Sequence, residues 1–397
     1  MTFQVFQPFQ VFRPFTTPVG GVNALAALIK ALFGNDEQGG MWLPGPNTCW
    51  KEGDGNRTRA TQPGDTVGVL LDTRLGATRA TQGLTNGSSN WGRAESPHSV
   101  EAAVTGDIDV RAHLRSPDWD ASSSGSIQLM NKYGSGSGRS WFFERRFNGF
   151  LGFSWTPTGS HVDLVTAEST EKVPFEDNAT GWVRATLDVD NGAGQWEVRL
   201  YTSLDGTVWT LLGDVMVGTG PTSIHAGTLG FNVGNNPANG AAMSGAKLYR
   251  AQVRNGIDGP VVLDCDFSAY DEGGSFAGGA GETWTLQVTA TILPDGNHAT
   301  QPTADARPLL LETSGKFFLR DDGIDDSLVA TFSASLGTAC TIVRADQTGV
   351  VTQTAQTVGT TYDIMAATDI YGLCIVDRAL TAGELADLQA YMAGRRP

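Results

Sequence analysis

Apolar and polar residues alternate with a period of two through the middle of the chain. Asp107–Arg115 sets Ile108, Val110, Ala112 and Leu114 against Asp109, Arg111 and His113. Trp182–Val189 sets Val183, Ala185, Leu187 and Val189 against Arg184, Thr186 and Asp188. Gln195–Tyr201 sets Trp196, Val198 and Leu200 against Glu197, Arg199 and Tyr201. Ser126–Lys132, Ala246–Arg254 and Val261–Phe267 carry the same pattern. One apolar and one wet face predict antiparallel strands. Asp190-Asn191-Gly192 and Leu204-Asp205-Gly206 supply turns between them. Many short strands without a βαβ rhythm predict a two-sheet sandwich over residues 88–290.

The pattern changes at both ends. Val22, Leu25, Leu28, Ile29, Leu32 and Phe33 recur at helical spacing, with Asn23 placed to cap the start and Gly34 to end the helix. Residues 1–19 are an extended arm, and residues 1–40 together form an attachment unit. Phe3, Phe6, Phe9, Phe12 and Phe15 recur every third residue, and Pro8, Pro14 and Pro18 exclude a helix. So much aromatic surface predicts a binding segment for a partner.

Residues 41–87 read as irregular, packed with the C-terminal unit. They carry two related strings, DGNRTRATQPG at 54–64 and GATRATQG at 76–83, with a third relative at 295–308. Residues 291–397 form a smaller β unit, with strands at Phe317–Leu319, Ser327–Phe332, Thr341–Val343 and Tyr371–Val376. Few strands are expected between 328 and 370. Thr381–Met392 is a helix: Thr381 and Glu384 have capping-box spacing, Leu385, Leu388, Tyr391 and Met392 share a face, and Gly394 closes it.

Composition narrows the function. The 397 residues include 50 glycines without a three-residue period, which fits many turns and excludes collagen. The net charge of −15 opposes phosphate backbones, so no nucleic-acid partner is expected. No stretch is long enough to span a bilayer, and no signal peptide is expected. Cys49, Cys265, Cys340 and Cys374 are far apart and read as buried free thiols.

The string GWVRATLDVDNGAGQWEVRLYTSLDGTVWTLLGD at 181–214 resembles the middle hairpins of the concanavalin A-like lectin and laminin G-like superfamily. The resemblance extends over about 100–290. GNHATQPTADARPLL, FFLRDDGIDDSL and IYGLCIVDRALTAGELADLQAYMAGR are similar to laminin G-like ends of tail and fibre proteins from tailed bacteriophages and gene transfer agents. The resemblance implies an all-β fold: a laminin G-like or jelly-roll antiparallel sandwich, with the N-terminal arm and a smaller C-terminal β domain ending in a helix. It also implies a virion component, assembled in the bacterial cytoplasm. Such a protein would be tied to other virion proteins by its arm and would face host surface glycan; its oligomeric state is left open. A purely structural decoration protein and a cell-surface glycan hydrolase are the alternatives.

Site chemistry follows from these readings. Trp141, Arg145, Arg146, Phe150 and Trp155 are the candidate glycan-binding residues, because aromatic faces stack on sugar rings and guanidinium groups hold hydroxyls. Alternation assigns several of Trp141, Phe143, Phe147, Phe153 and Trp155 to the core. Calcium is the one cofactor the resemblance suggests, with Asp118, Asp120, Asn235 and Asn236 as candidate oxygen ligands. The run lacks the E-x-D-x-x-E string that places glycosidase carboxylates on one strand, so no catalytic residue is expected.

Overall fold

The structure is a computed structural model that describes residues 21–35, 37–51, 58–74, 82–85, 92–120, 126–220, 222–236, 245–270, 274–287, 291–293, 296–365 and 369–397. The arm, with Phe3, Phe6, Phe9, Phe12 and Phe15, lies outside the described residues. Among those described, the strands form four sheets of eight, nine, six and five strands.

The alternating segments pair as their pattern requires. Ile108–Arg115, Thr180–Asp188 and Gln195–Ser203 are adjacent antiparallel strands of the nine-stranded sheet. Lys247–Asn255 joins their other side and pairs with Val261–Asp266. The eight-stranded sheet runs from Val165–Glu168 through Leu151–Trp155, Trp141–Arg145, Ile127–Lys132, Phe231–Gly234 and Arg93–Ser96 to Thr283–Gln287 and Ser275–Ala277. Ile108, Val110, Leu187 and Val198 from one sheet meet Leu129, Phe143, Phe153 and Phe231 from the other in a single core. The short strand Gly83–Thr85 pairs with Lys247–Asn255, so this sandwich begins before residue 88.

A second unit is built from both ends of the chain. Its five-stranded sheet joins Cys49–Trp50 and Val69–Leu70 to Ala299–Thr300, Val329–Thr331 and Thr361–Asp363. Its six-stranded sheet centres on Ile370–Val376, which takes Gly39–Trp42 along one edge in the register Gly39↔Val376 to Trp42↔Leu373. Trp42, Leu70, Leu319, Ile342 and Ile375 fill the space between these sheets. The first sandwich is thus inserted into the second unit, between residues 74 and 296. Strand alternation also joins the units: Cys49 and Leu70 enter the second core, while Trp50, Val69 and Leu71 enter the first.

The region 328–370 is richer in strands than its sequence suggests. Gly337–Asp346 and Gly349–Val358 form a ten-on-ten residue hairpin, followed by Thr361–Asp363. The second hairpin strand, GVVTQTAQTV, is largely exposed and polar at most places from Thr352 to Thr357, so its hydrophobic signal is weak.

Two helices cover the far face of the six-stranded sheet. Helix α1 spans Gly21–Phe33 and α2 spans Ala382–Arg395. Leu28 and Leu32 of α1, with Leu388 and Met392 of α2, pack on Met41, Val343, Cys374 and Val376. Helix α1 begins two residues before Asn23, which therefore lies inside the first turn rather than capping it. Thr381 caps α2 with the complete capping box. Gly394 does not end α2, which continues to Arg395, whose side chain donates to Pro44 O at 2.6 Å. All four cysteines are buried free thiols, and burial pushes the Cys49 thiol up to about 11. No described helix is long and apolar enough to cross a membrane.

Candidate functional site

Alternation on the eight-stranded sheet decides which side chains face outward. Trp141, Phe143 and Arg145 of one strand point inward, as do Leu151, Phe153 and Trp155 of the next. Trp141 and Trp155 are 1% and 0% exposed, and both stack toward Phe153 in the core. Their rings offer no face to a ligand, because the strand period commits them to the apolar side. Arg145 is also buried, and burial lowers its pKa while Asp118 and Asp120 raise it. It acts as a structural cation at the end of the sandwich.

The outward residues form a continuous polar face. Phe142 and Glu144 lie opposite Ser154 and Gly152, which lie opposite Thr166 and Glu168, and Arg146 follows just past the strand end, where its N–H donates to Phe150 O. Gly152 has no side chain in the middle of this row, and the Arg146 side chain fills the space above it: a Cβ at Gly152 would come within 3.0 Å of Arg146 Cδ. Arg146 Nε lies 2.8 Å from Glu168 Oε2, an ion pair not aligned as a hydrogen bond, and Arg146 Nη1 lies 3.7 Å from Glu144 Oε1. Asn148 Nδ2 donates to Glu168 Oε1 at 2.9 Å. Burial raises the Glu144 carboxyl above its usual range; Arg146 pulls it down and Glu168 pushes it up.

The face continues on both sides of this row. Ser154 Oγ and Thr166 Oγ1 are 2.9 Å apart. Tyr133 meets Phe142 edge to face at 5.0 Å, and its hydroxyl is 2.8 Å from His161 Nδ1. Arg139 lies over the Tyr133 ring at 5.4 Å. Across the sheet, Arg93 donates to Asn232 Oδ1, Asn232 to Asn131 Oδ1, and Asn131 to Gln128 Oε1. At the tip of the hairpin between Trp141–Arg145 and Leu151–Trp155, Phe147 is 60% exposed and Phe150 is half-buried.

Arg146 and Phe150 are therefore the members of the expected set that reach this surface. Of the five aromatics offered to the core, Trp141, Phe143, Phe153 and Trp155 are there, and Phe147 is exposed because it occupies the Arg146–Gly149 turn, where Gly149 N donates to Arg146 O at 3.0 Å. Phe142, Glu144 and Glu168 were missed. The signal was present in Trp141–Arg145: the same period that buries Trp141 turns Phe142 and Glu144 outward.

The expected calcium ligands carry local partners. Asp118 and Asp120 face Arg145, whose charge opposes a second cation there. Asn235 Oδ1 accepts the backbone N–H of Asn236, and Asn235 O accepts from Asn131. The close carboxylate group among the described residues is elsewhere: Asp321, Asp322 and Asp326 have oxygens within 4.8 Å of one another. Asp322 N donates to Asp326 Oδ2, and Gly323 at φ 77° makes the tight bend. Such oxygens suit a hard divalent cation. The sequence signal was the run DDGIDD at 321–326.

The opposite sheet carries a tied ionic knot on its outer face. Arg111 and Arg184 each donate twice to the fully buried Asp109 and reach Asp258. Trp209 covers both guanidinium groups at 5.4 and 5.5 Å.

No family model and no curated relative matches the chain. Solved structures give distant likenesses. One is a proposed carbohydrate binding protein of Bacteroides ovatus ATCC 8483, 12% identical over 54% of this chain and 60% of that chain, with a TM-score of 0.38. A second is the CBM40 of a Ruminococcus gnavus IT-sialidase bound to α2,3-sialyllactose, 14% identical over 44% of this chain and 92% of that chain, with a TM-score of 0.30. A third is a heptameric SAP-like pentraxin of Limulus polyphemus, 10% identical over 55% of this chain and 96% of that chain, with a TM-score of 0.34. The chain spans 60% of the length of the first of these. Likenesses this distant assign no ligand to the present chain.

Proposed function

We propose that the protein is a non-catalytic carbohydrate-binding protein that holds glycan on the polar face of its eight-stranded sheet. The observation that carries this reading is the outward row Phe142, Glu144 and Arg146, with Arg146 laid over Gly152 between Glu144 and Glu168. Paired planar acceptors and a guanidinium suit vicinal hydroxyls, and half-exposed rings suit the apolar side of a pyranose. Few side chains need to move, because Arg146 and Asn148 are already tethered to Glu168.

Glu144 and Glu168 flank the same glycine, which is the one arrangement here that favours hydrolysis instead. Arg146 occupies the space between them and serves Glu168 as counter-ion, which favours binding over turnover. The finer reading, a tail, fibre or spike component of a phage-like particle attached by its arm, rests on sequence resemblance alone.

The test is a glycan array probed with the full chain and with Arg146→Ala. Binding that falls at least tenfold in the variant supports the reading. Wild-type protein that binds no glycan contradicts it. Release of free sugar, lost in Glu144→Gln, would favour the hydrolase.

A further inference from the structure

The outer face of the nine-stranded sheet holds a cationic cluster that the glycan face does not use. Arg254 stands directly across from Asp109, and Arg111 and Arg184 stand across from each other in the next outward row. The charged groups that act on Arg254 are Arg111, Arg184, Asp109 and Asp258. Three guanidinium groups therefore share two carboxylates.

Both carboxylates are already committed. Asp109 accepts four bonds from Arg111 and Arg184 and a fifth from the Asp258 backbone N–H. Asp258 Oδ1 accepts from Arg111 and from Arg184. The ion pairs of the cluster run between these four residues, and among the described residues none reaches Arg254. Arg254 Nη1 donates to Gly259 O at 3.0 Å, while Nε is enclosed without a hydrogen-bond partner. Burial, with Arg111 and Arg184 beside it, lowers the Arg254 pKa. A partly buried cation with an orphaned N–H carries a desolvation cost that a bound anion offsets. In a chain of net charge −15, this local surplus of positive charge runs against the average.

The surroundings select the kind of anion. Trp209 covers Arg111 and Arg184, which are 8% and 5% exposed, so the half-buried Arg254 is the guanidinium that a ligand meets. With Nη1 held by Gly259, the remaining Nε–Nη2 edge is one that a planar carboxylate engages with two parallel bonds. The loop beside it is tied down: Asn255 N donates to Pro260 O, Gly256 N to Asp107 O and Gly259 N to Gly256 O. On that loop Asp258, at φ 55°, already presents one carboxylate to two guanidinium groups of the same cluster.

We infer that Arg254 is a carboxylate-binding site whose ligand is an acidic sugar, a second point of glycan contact on the sheet opposite the Gly152 face. The site takes one carboxylate, because the surplus is one charge. The choice of a sugar rests on the carbohydrate-binding reading; the carboxylate site itself does not.

The test follows the Arg254 Nε–Hε resonance of the full chain in arginine side-chain NMR spectra, assigned by its loss in Arg254→Lys. Glucuronate, glucose, acetate and sulfate are each titrated into the millimolar range at constant ionic strength. A saturable shift is expected with glucuronate, a weaker one with acetate and none with glucose. No saturable shift with either carboxylate, or a shift with sulfate as large as with glucuronate, overturns the carboxylate site. Acetate that binds as tightly as glucuronate overturns the acidic-sugar assignment. Because the resonance belongs to Arg254, sugar held on the Gly152 face does not move it, and the two readings fail separately.

Discussion

The carboxylate of Asp72 accepts the backbone N–H of Asn297 at 3.0 Å, across 225 positions of sequence. The same buried side chain accepts from Met41 N and from Arg74, and Asp72 N donates to His298 Nδ1. One acid thus ties together the place where the chain leaves the second unit and the place where it returns. The first sandwich is held as an insertion by this clasp. Removing a buried, fully bonded carboxylate strands several donors and a guanidinium. Asp72→Ala should cost about 3–5 kcal/mol in urea unfolding, by analogy with other broken buried pairs. A loss below about 1 kcal/mol would show that the clasp is dispensable.

A comparable cost is expected on the outer sheet of the sandwich. Asp109 is 0% exposed and receives four hydrogen bonds from Arg111 and Arg184. Asp109→Asn removes the charge while two guanidinium groups remain partly buried. A destabilisation of about 3 kcal/mol is predicted from denaturant midpoints. Arg184→Met with Asp109→Leu, which removes charge from both sides, should lose less than Asp109→Asn alone.

Helix α2 should show an acid-sensitive cap. Arg378 holds the Glu384 carboxyl at about 2, well below 4.5, with the Thr381 backbone adding to the shift. A depressed carboxyl stabilises the fold above its unfolded pKa, and that contribution is lost as pH falls from about 4.5 toward 2. The melting temperatures of wild type and Glu384→Gln should therefore converge over this window. A gap that stays constant to pH 2 would remove Glu384 from the cap. Thr381→Ala should cost about 1 kcal/mol through the lost capping bond.

Lys132 gives a slope of the same sign at higher pH. It is 1% exposed, and burial pushes its amine down from 10.5 to about 8. Its Nζ donates to Leu229 O, lies 2.9 Å from His98 Nδ1 and sits over the Phe231 ring. Between those two values the unfolded chain binds the proton more firmly, so stability rises with pH. Urea unfolding from pH 8 to 10 should show this rise in wild type and a smaller one in Lys132→Met. Identical slopes would contradict the buried position.

The all-β fold and the C-terminal helix were legible because alternation and capping are local signals. Leu187 beside Asp188 reports a half-buried strand without reference to the rest of the chain. The pairing of Gly39–Trp42 with Ile370–Val376 was not legible, since its register depends on contacts more than 300 residues apart. The candidate site failed at one step. Aromatic richness drew attention to Trp141 and Trp155, although strand period sends them inward and turns Phe142 and Glu144 out. Phe147 escaped because a turn breaks the period that predicts burial.

The central claim is that glycan sits on the face built around Gly152. Hydrogen-exchange footprinting with the strongest glycan ligand from an array tests it most directly. Protection is predicted in peptides covering 141–149 and 165–168, with none at 203–211 or 321–326. Protection confined to either of those last two segments, with 141–149 unchanged, would contradict the account.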